Sequence, residues 1–229
     1  MNSEVPKPLV LLKEKPMIKW LTDTLKLFSF IDICVIIGHE GEKIKKYLGS
    51  DLIYVFQNQQ KGTGHAVQKA QSVIEKYKNI LIFPSDAPMV SFKSIQKLYD
   101  SHIKMNASCS FFTSTFPFHL PYARVIRKNN LVVDCIEEID VDNEGFKIRE
   151  LFTSHYLINT VDLISFINQI KPHKLTKEYH LTGIIKFLYN KERLLNDIYV
   201  NQYQELMGVN TKKDLEFIES WISLYDKQK

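Results

Sequence analysis

Three short stretches of this chain combine residue types suited to a phosphorylated ligand and a divalent cation. The first is QNQQKGTGHAVQKA, residues 57–70. A β-rich run ends at Gln57, a turn containing Gly62 and Thr63 follows, and an amphipathic run begins near His65. Glycine lets a ligand approach the main chain, and a helix N-terminus favours an anion. The Gln57 amide can donate to and accept from a base edge, and the Thr63 hydroxyl can do both through one group. The second stretch is IFPSDAPMV, residues 82–90, an apolar run that ends in Ser85-Asp86 before a proline. Ligands of open parallel sheets gather at the carboxyl ends of strands, and a carboxylate there suits a hard divalent cation. The third, MGVNTKKDLE (207–216), offers the neutral Asn210 oxygen just ahead of a helix. Mg²⁺ carried on substrate phosphates takes only one or two protein oxygens, so an Asp86–Asn210 pair would suffice. Each stretch also has a plainer reading. Gly-x-Gly is a weak signal that fits any strand–turn–helix corner. Asp86 fits an Asx-type turn, and VNT fits an ordinary helix start.

Other chemistries lack an anchor. The seven histidines show no His-x-x-x-His spacing, and there is no Gly-x-Ser-x-Gly, so neither a catalytic zinc nor a hydrolase triad is expected. Cys34, Cys109 and Cys135 are scattered through apolar, strand-like runs. Their odd number and spacing suggest buried, reduced thiols of a cytoplasmic protein rather than a disulfide framework.

The elements that must position these residues follow an alternating rhythm. Residues 31–38, 52–57, 79–86 and 107–115 read as strands. Residues 15–28, 42–48, 65–77 and 91–105 read as helices, the last capped by Ser91. Mostly apolar strands in this alternation predict a parallel sheet covered on both faces. After residue 115 the character changes. ARVIRK and LVVDCIEEI flank an Asn-Asn turn, a hairpin signal. An extended run follows over 147–159, then helices near 161–170 and 178–190, a strand over 193–200 and a helix over 211–225 with Thr211 as N-cap. The expected organisation is one mixed α/β domain over residues 1–229, with halves of about 1–115 and 116–229.

With 229 residues, 45% hydrophobic and 24% charged, the chain can bury a sizeable core. No apolar run approaches the roughly 20 residues that cross a bilayer, and no secretory signal is visible. The net charge of +4 comes from lysines spread along the chain. A nucleic-acid binder gathers such charge on one face with aromatics, so neither a membrane nor a nucleic-acid partner is expected.

Taken together, QNQQKGTGHA, FPSDAPMVS, YARVIRKNNLVVDCIEE, INT, EYHLTGII and GVNTKKDLE resemble the sugar-nucleotide pyrophosphorylases, in order and in approximate spacing. The nearest likeness is to the uridyltransferase domain of bacterial N-acetylglucosamine-1-phosphate uridyltransferases. The resemblance implies a Rossmann-like, mostly parallel sheet with helices on both faces, of the glycosyltransferase-A-like nucleotidyltransferase type. It implies transfer of a uridylyl group from UTP to a sugar 1-phosphate, with Mg²⁺ as cofactor and these small molecules as partners of a monomer or weak oligomer. Gln57, Gly62 and Thr63 match the uracil-reading segment, Asp86 and Asn210 the Mg²⁺ ligands, and Lys7 a lysine facing the nucleotide phosphates. Ala123, Glu137 and Asn159 match positions around the sugar.

Several positions depart from the family pattern. Ala123 and Ser85 stand where glycines are usual, Val161 follows INT in place of glycine, and Gly183 replaces an aspartate. The family's first strand and Gly-rich phosphate loop have no counterpart in these residues, Met1 falling where that loop would end, and no hexapeptide-repeat domain is expected. The chain is therefore expected to leave a gap in its central sheet. A catalytically weak or inactive nucleotide- and sugar-binding homologue is the alternative reading.

Overall fold

A computed structural model describes residues 5–226; Met1 lies outside them. The described chain opens on a 3-10 turn over Lys7–Leu9 and a tight hairpin, β1 (Leu11–Leu12) and β2 (Lys15–Pro16), turned by Lys13 and Glu14 at φ 50° and 63°. Helix α1 (Met17–Leu25) follows, shorter than the expected 15–28 because Lys15 and Pro16 belong to the hairpin. Next come β3 (Cys34–Ile37), α2 (Gly41–Leu48) and β4 (Ile53–Phe56). The single helix expected over 65–77 is two pieces, α3 (Thr63–Lys69) and α4 (Gln71–Ile74), with Ala70 at φ −89° and ψ 5° between them. After β5 (Asn79–Ile82), Ser91 caps α5 (Phe92–Met105) by accepting from the Ser94 amide at 3.1 Å. Strand β6 (Cys109–Thr115) leads to the hairpin of β7 (Ala123–Lys128) and β8 (Leu131–Ile136). Asn129 and Asn130 adopt φ 50° and 66°, the left-handed pair that a two-residue hairpin turn requires. The chain continues through β9 (Glu150–Asn159), α6 (Thr160–Ile167), α7 (Ile184–Asn190), β10 (Leu195–Tyr199) and α8 (Lys212–Asp226). Residues 178–180, expected as helix, are extended, because the Tyr179 amide and carbonyl pair with Lys61 and Gly64.

The main sheet runs β10-β6-β9-β7-β8, with β5 also paired to β9. Strands β5, β6, β7 and β10 point one way and β8 and β9 the other. Side chains alternate across it, as the pleat dictates. Phe111, Tyr156 and Ile158 join one face with α3, α4, α6 and α7. Phe112 and Leu157 join the other with α1, α5 and α8. The result is three layers, helices over both faces of a mixed sheet.

Among the described residues the sheet is interrupted. Parallel strands β3 and β4 form a separate two-stranded piece, and β5 pairs with β9 alone. Among the described residues no strand joins β3 to β5. Helices span the break on both sides. On one face α1 places Ile18 against Val35 and Ile37, and Met17 and Leu21 against the main sheet's cluster. On the other, Val67 and Ile74 pack with Ile36 and Val55 of the small piece and with Ile80 and Ile82 of β5.

Strand β9 also carries a buried base. Between the pairs Thr113↔Phe152 and Phe111↔Tyr156, β9 advances four residues and β6 two; Ser154, at φ 59°, is part of the bulge. His155 next to it is fully enclosed, its ring 5.1 Å from Phe83 and 6.0 Å from Phe112. The ring keeps one bond, to Thr153 Oγ1 at 3.0 Å, and Nε2 has no partner. Burial pushes its pKa down to about 3. An unfolded histidine titrates near 6.5, so between those two values the unfolded chain binds the extra proton and stability falls as pH falls. From pH 7 to pH 5 this one group should remove about 2 kcal/mol of stability. His65 and His102 are shifted in the same direction, so His155→Leu should flatten the acid slope of urea-unfolding free energy without abolishing it. An unchanged slope in that variant would refute the assignment.

Candidate functional site

The chain beyond β5 is turned by Pro84, and the Asp86 carbonyl accepts the Val209 amide at 2.8 Å. That main-chain bond, spanning most of the sequence, brings Asp86 and Asn210 together. The Lys7 ammonium closes the group, bonding Asp86 Oδ2 and Asn210 Oδ1, the latter at 2.7 Å. A cation thus already sits between one carboxylate and one amide oxygen. Such a pair of oxygens fits Mg²⁺ carried on phosphates, which needs few protein ligands. Among the described residues no cluster of three or more His, Cys, Asp or Glu side chains could hold a metal alone.

Two further residues hold this corner. Asp214 accepts the Asn210 and Thr211 amides at 2.9 and 2.7 Å, while its own amide donates to Thr211 Oγ1 at 3.1 Å. Thr211 therefore caps α8 as expected, and the reciprocal bonds fix Asn210 at the helix start. Tyr122, ahead of β7, accepts the Gly208 amide at 2.7 Å. A Cβ at Gly208 would lie 3.1 Å from that oxygen, so a side chain there would require the Tyr122 hydroxyl to give way. Burial pushes the Tyr122 pKa up to about 12, which keeps the phenol neutral.

The glycine turn behaves differently from the ligand-facing loop that its composition suggests. Gly62, at φ 93°, and Gly64 lie against the Tyr179 main chain, and the Gly64 amide donates to Tyr179 O at 2.7 Å. Thr63 Oγ1 accepts the Leu181 amide at 3.1 Å. The close approach that these glycines allow is thus to the protein's own segment 179–181. Gln57 keeps a free face. Its Nε2 donates to Gly62 O at 3.2 Å and lies 2.9 Å from His65 Nδ1. A cavity of about 370 Å³ opens beside it, lined by Gly38, His39, Phe56, Gln57, Asn58 and Gln60 at the carboxyl ends of β3 and β4.

Segment 179–182 links the glycine turn to Glu137. Thr182 donates its hydroxyl to Glu137 Oε1, and His180 Nδ1 lies 3.8 Å from the same oxygen. Glu137 follows β8, and Ala123 begins β7 directly across the hairpin, buried beside Tyr122. Tyr122 thus joins the strand that begins at Ala123 to the Asp86–Asn210 corner through Gly208, while Gln57, Gly62, Thr63 and Glu137 connect through Tyr179–Thr182. Asn159 does not join them. It pairs with Asn79 at the start of β5, the end of the strand away from Asp86, and its side chain caps α6 by accepting the Val161 amide at 3.0 Å. The INT match therefore marks a helix cap, correcting Asn159 as a sugar ligand. Tyr122, His65, Tyr179 and Thr182 were not legible as site residues. All four lie inside the matched motifs, but their residue types alone gave no reason to single them out.

An ammonium and paired oxygens for phosphates, a free amide beside a cavity, and a carboxylate–hydroxyl pair suit a nucleotide joined to a polyhydroxylated group. Residues 1–155 match the family model of the MobA-like NTP transferase domain. The chain belongs to that family. This MobA-like domain is 35% identical over 222 residues to the "Bifunctional protein GlmU" of Thermosipho melanesiensis, covering 97% of the chain and 48% of that protein. It is 30% identical to the protein of the same name from Clostridium perfringens, covering 96% of the chain and 48% of the relative. The MobA-like chain thus spans about half the length of the curated relatives it matches. In fold it is similar to an apo UDP-glucose pyrophosphorylase, with a TM-score of 0.75 at 14% identity over 98% of this chain and 92% of that one. A UDP-glucose pyrophosphorylase complexed with UDP-glucose gives 0.73 at 14% identity, covering 97% and 91%. No described helix is long and apolar enough to cross a membrane.

Proposed function

We propose that this MobA-like domain is a nucleotidyltransferase that moves a uridylyl group from UTP to a sugar 1-phosphate, N-acetylglucosamine 1-phosphate first among the sugars to test. An oxygen of the sugar phosphate attacks the α-phosphorus in line. The bond to the β-phosphate oxygen breaks, and pyrophosphate leaves. Catalysis of this kind is positioning and charge neutralisation, with no nucleophilic side chain required. The observation that carries the reading is the convergence of Lys7, Asp86 and Asn210 beyond the carboxyl end of β5. Support comes also from the relatives named GlmU and from the fold-level neighbour that holds UDP-glucose.

Each residue then has a role. Gln57 faces the base, and Gly62 and Thr63 shape the turn behind it, against Tyr179 and Leu181. Lys7 neutralises phosphate charge as the pyrophosphate departs. Asp86 and Asn210 would hold Mg²⁺, which when bound withdraws charge from the phosphate oxygens. Glu137 accepts from sugar hydroxyls, and Ala123 narrows the pocket where glycine would leave room. The domain acts on small molecules as a monomer or weak oligomer, and its three free cysteines suit a cytoplasmic setting.

The test is coupled detection of pyrophosphate from UTP or CTP with a panel of sugar 1-phosphates, with and without Mg²⁺. Metal-dependent release with UTP and one sugar phosphate is expected. No release from any pair, in a protein with a cooperative thermal transition, would refute turnover. Among the described residues β3 pairs with β4 alone and β5 with β9 alone, a break in the sheet that favours the alternative, a homologue that binds both substrates without joining them. Its signature is UTP binding with no pyrophosphate.

A further inference from the structure

We infer that His65 sets the pyrimidine preference of the base site by locking the Gln57 amide with its oxygen outward. The inference rests on the uridylyl-transfer reading and adds a residue to it. Gln57 Nε2 carries two hydrogens, and both are used. One goes to the Gly62 carbonyl at 3.2 Å, and the other faces His65 Nδ1 at 2.9 Å. A carbonyl can only accept, so the Gly62 bond alone identifies which end of the amide is nitrogen. With Nε2 donating, Nδ1 must be the accepting nitrogen of a neutral imidazole whose proton sits on Nε2.

The surroundings of the ring keep it neutral. Burial, then the positive charges of Lys69 and Lys61, lower the His65 pKa, while the Gln59 main chain bonds the ring and opposes the shift. The Tyr179 ring lies alongside, 6.1 Å between centroids. Gly62 is in turn held against Tyr179, so the carbonyl that pins the amide is itself fixed.

The consequence is a one-sided reader. Gln57 Oε1 has no protein donor among the described residues, and Gln57 lines the 370 Å³ cavity at the ends of β3 and β4. A lone acceptor favours a base that presents a ring N–H. Uracil donates from N3; cytosine has an acceptor there and its only base-edge donor is the 4-amino group, one ring position away, so an oxygen placed for N3–H meets a lone pair unless the base shifts. Without the imidazole, Nε2 regains a free hydrogen and only the Gly62 bond opposes rotation of the amide, so the same glutamine meets the two pyrimidines more nearly alike.

Calorimetric titration of the full chain with UTP and with CTP tests this without requiring turnover. The wild type should favour UTP. His65→Ala, and His65→Phe, which keeps the ring volume beside Tyr179, should each cut the UTP:CTP affinity ratio about tenfold, the worth of one hydrogen bond. His65→Asn places an acceptor oxygen near the position of Nδ1 and should restore the ratio to within about threefold. A wild-type preference that survives intact in folded His65→Ala and His65→Phe overturns the inference and leaves the uridylyl reading standing. A wild type that binds neither nucleotide overturns that reading, and the role of His65 with it.

Discussion

Asp86→Asn is expected to lower pyrophosphate release from UTP and a sugar 1-phosphate about a thousandfold, through kcat rather than through folding. The substitution keeps the shape of the side chain and removes its charge. The bond that places this residue beside Val209 runs from the Asp86 main-chain carbonyl, so the local path of the chain should survive. What disappears is the anion that holds the Lys7 ammonium and, in the proposed reaction, Mg²⁺. Loss of one positioned charge in a partly enclosed site costs several kcal/mol of transition-state stabilisation. The Asp86–Lys7 pair itself is half-exposed, with side-chain exposures of 28% and 37%, and an ion pair so open to water adds little to stability. The thermal midpoint should therefore stay within a few degrees of the parent protein. Activity within threefold of wild type, at saturating Mg²⁺, would remove Asp86 from the mechanism.

Gly62→Ala should cost about 3 kcal/mol. Gly62 sits at φ 93° and ψ 175°, a region essentially closed to residues with a Cβ. An added Cβ would also meet the Tyr179 carbonyl oxygen at 2.8 Å and the Tyr179 nitrogen at 2.9 Å. Both are main-chain atoms of a segment anchored by Lys61, Gly64 and Thr63, so neither can step aside cheaply. The strain should be relieved by releasing residues 179–182 from the turn. Amide exchange at Gly64, Tyr179 and Leu181 should accelerate, and UTP affinity should fall with the loss of the pinned Gln57. Gly64→Ala is the internal control. Its Cβ would meet the mobile end of Ile170 at 2.6 Å and the Tyr179 oxygen at 3.0 Å, with no positive φ to maintain, so it should cost less. Equal costs from urea unfolding of the two variants would show that backbone conformation at Gly62 is not the controlling factor.

Much of the layered fold was legible because its signals are local. Apolar runs of strand length alternate with amphipathic runs. Ser91 and Thr211 cap their helices as their positions suggest, and Asn129-Asn130 supply the left-handed turn of the β7–β8 hairpin. Where the reading erred, a distant partner had overridden a local preference. Residues 178–180 look helical yet run extended, because Lys61 and Gly64 take their hydrogen bonds. Asn159 looked like a ligand because of its neighbours in the motif, but in β9 it stands opposite Asn79.

The candidate site divides along the same line. By itself the sequence determined which groups were available: an amide beside a glycine turn, a carboxylate after an apolar strand, an asparagine before a helix. Those choices are written in residue type and immediate spacing. Only the tertiary structure decided that Asp86 and Asn210 meet, because the bond from Val209 to the Asp86 carbonyl closes a loop of more than half the chain. It alone decided that the glycines face Tyr179 and that His65 holds the Gln57 amide. Contacts of that kind depend on the direction of an N–H or a lone pair, and direction is set by the folded backbone rather than by residue order.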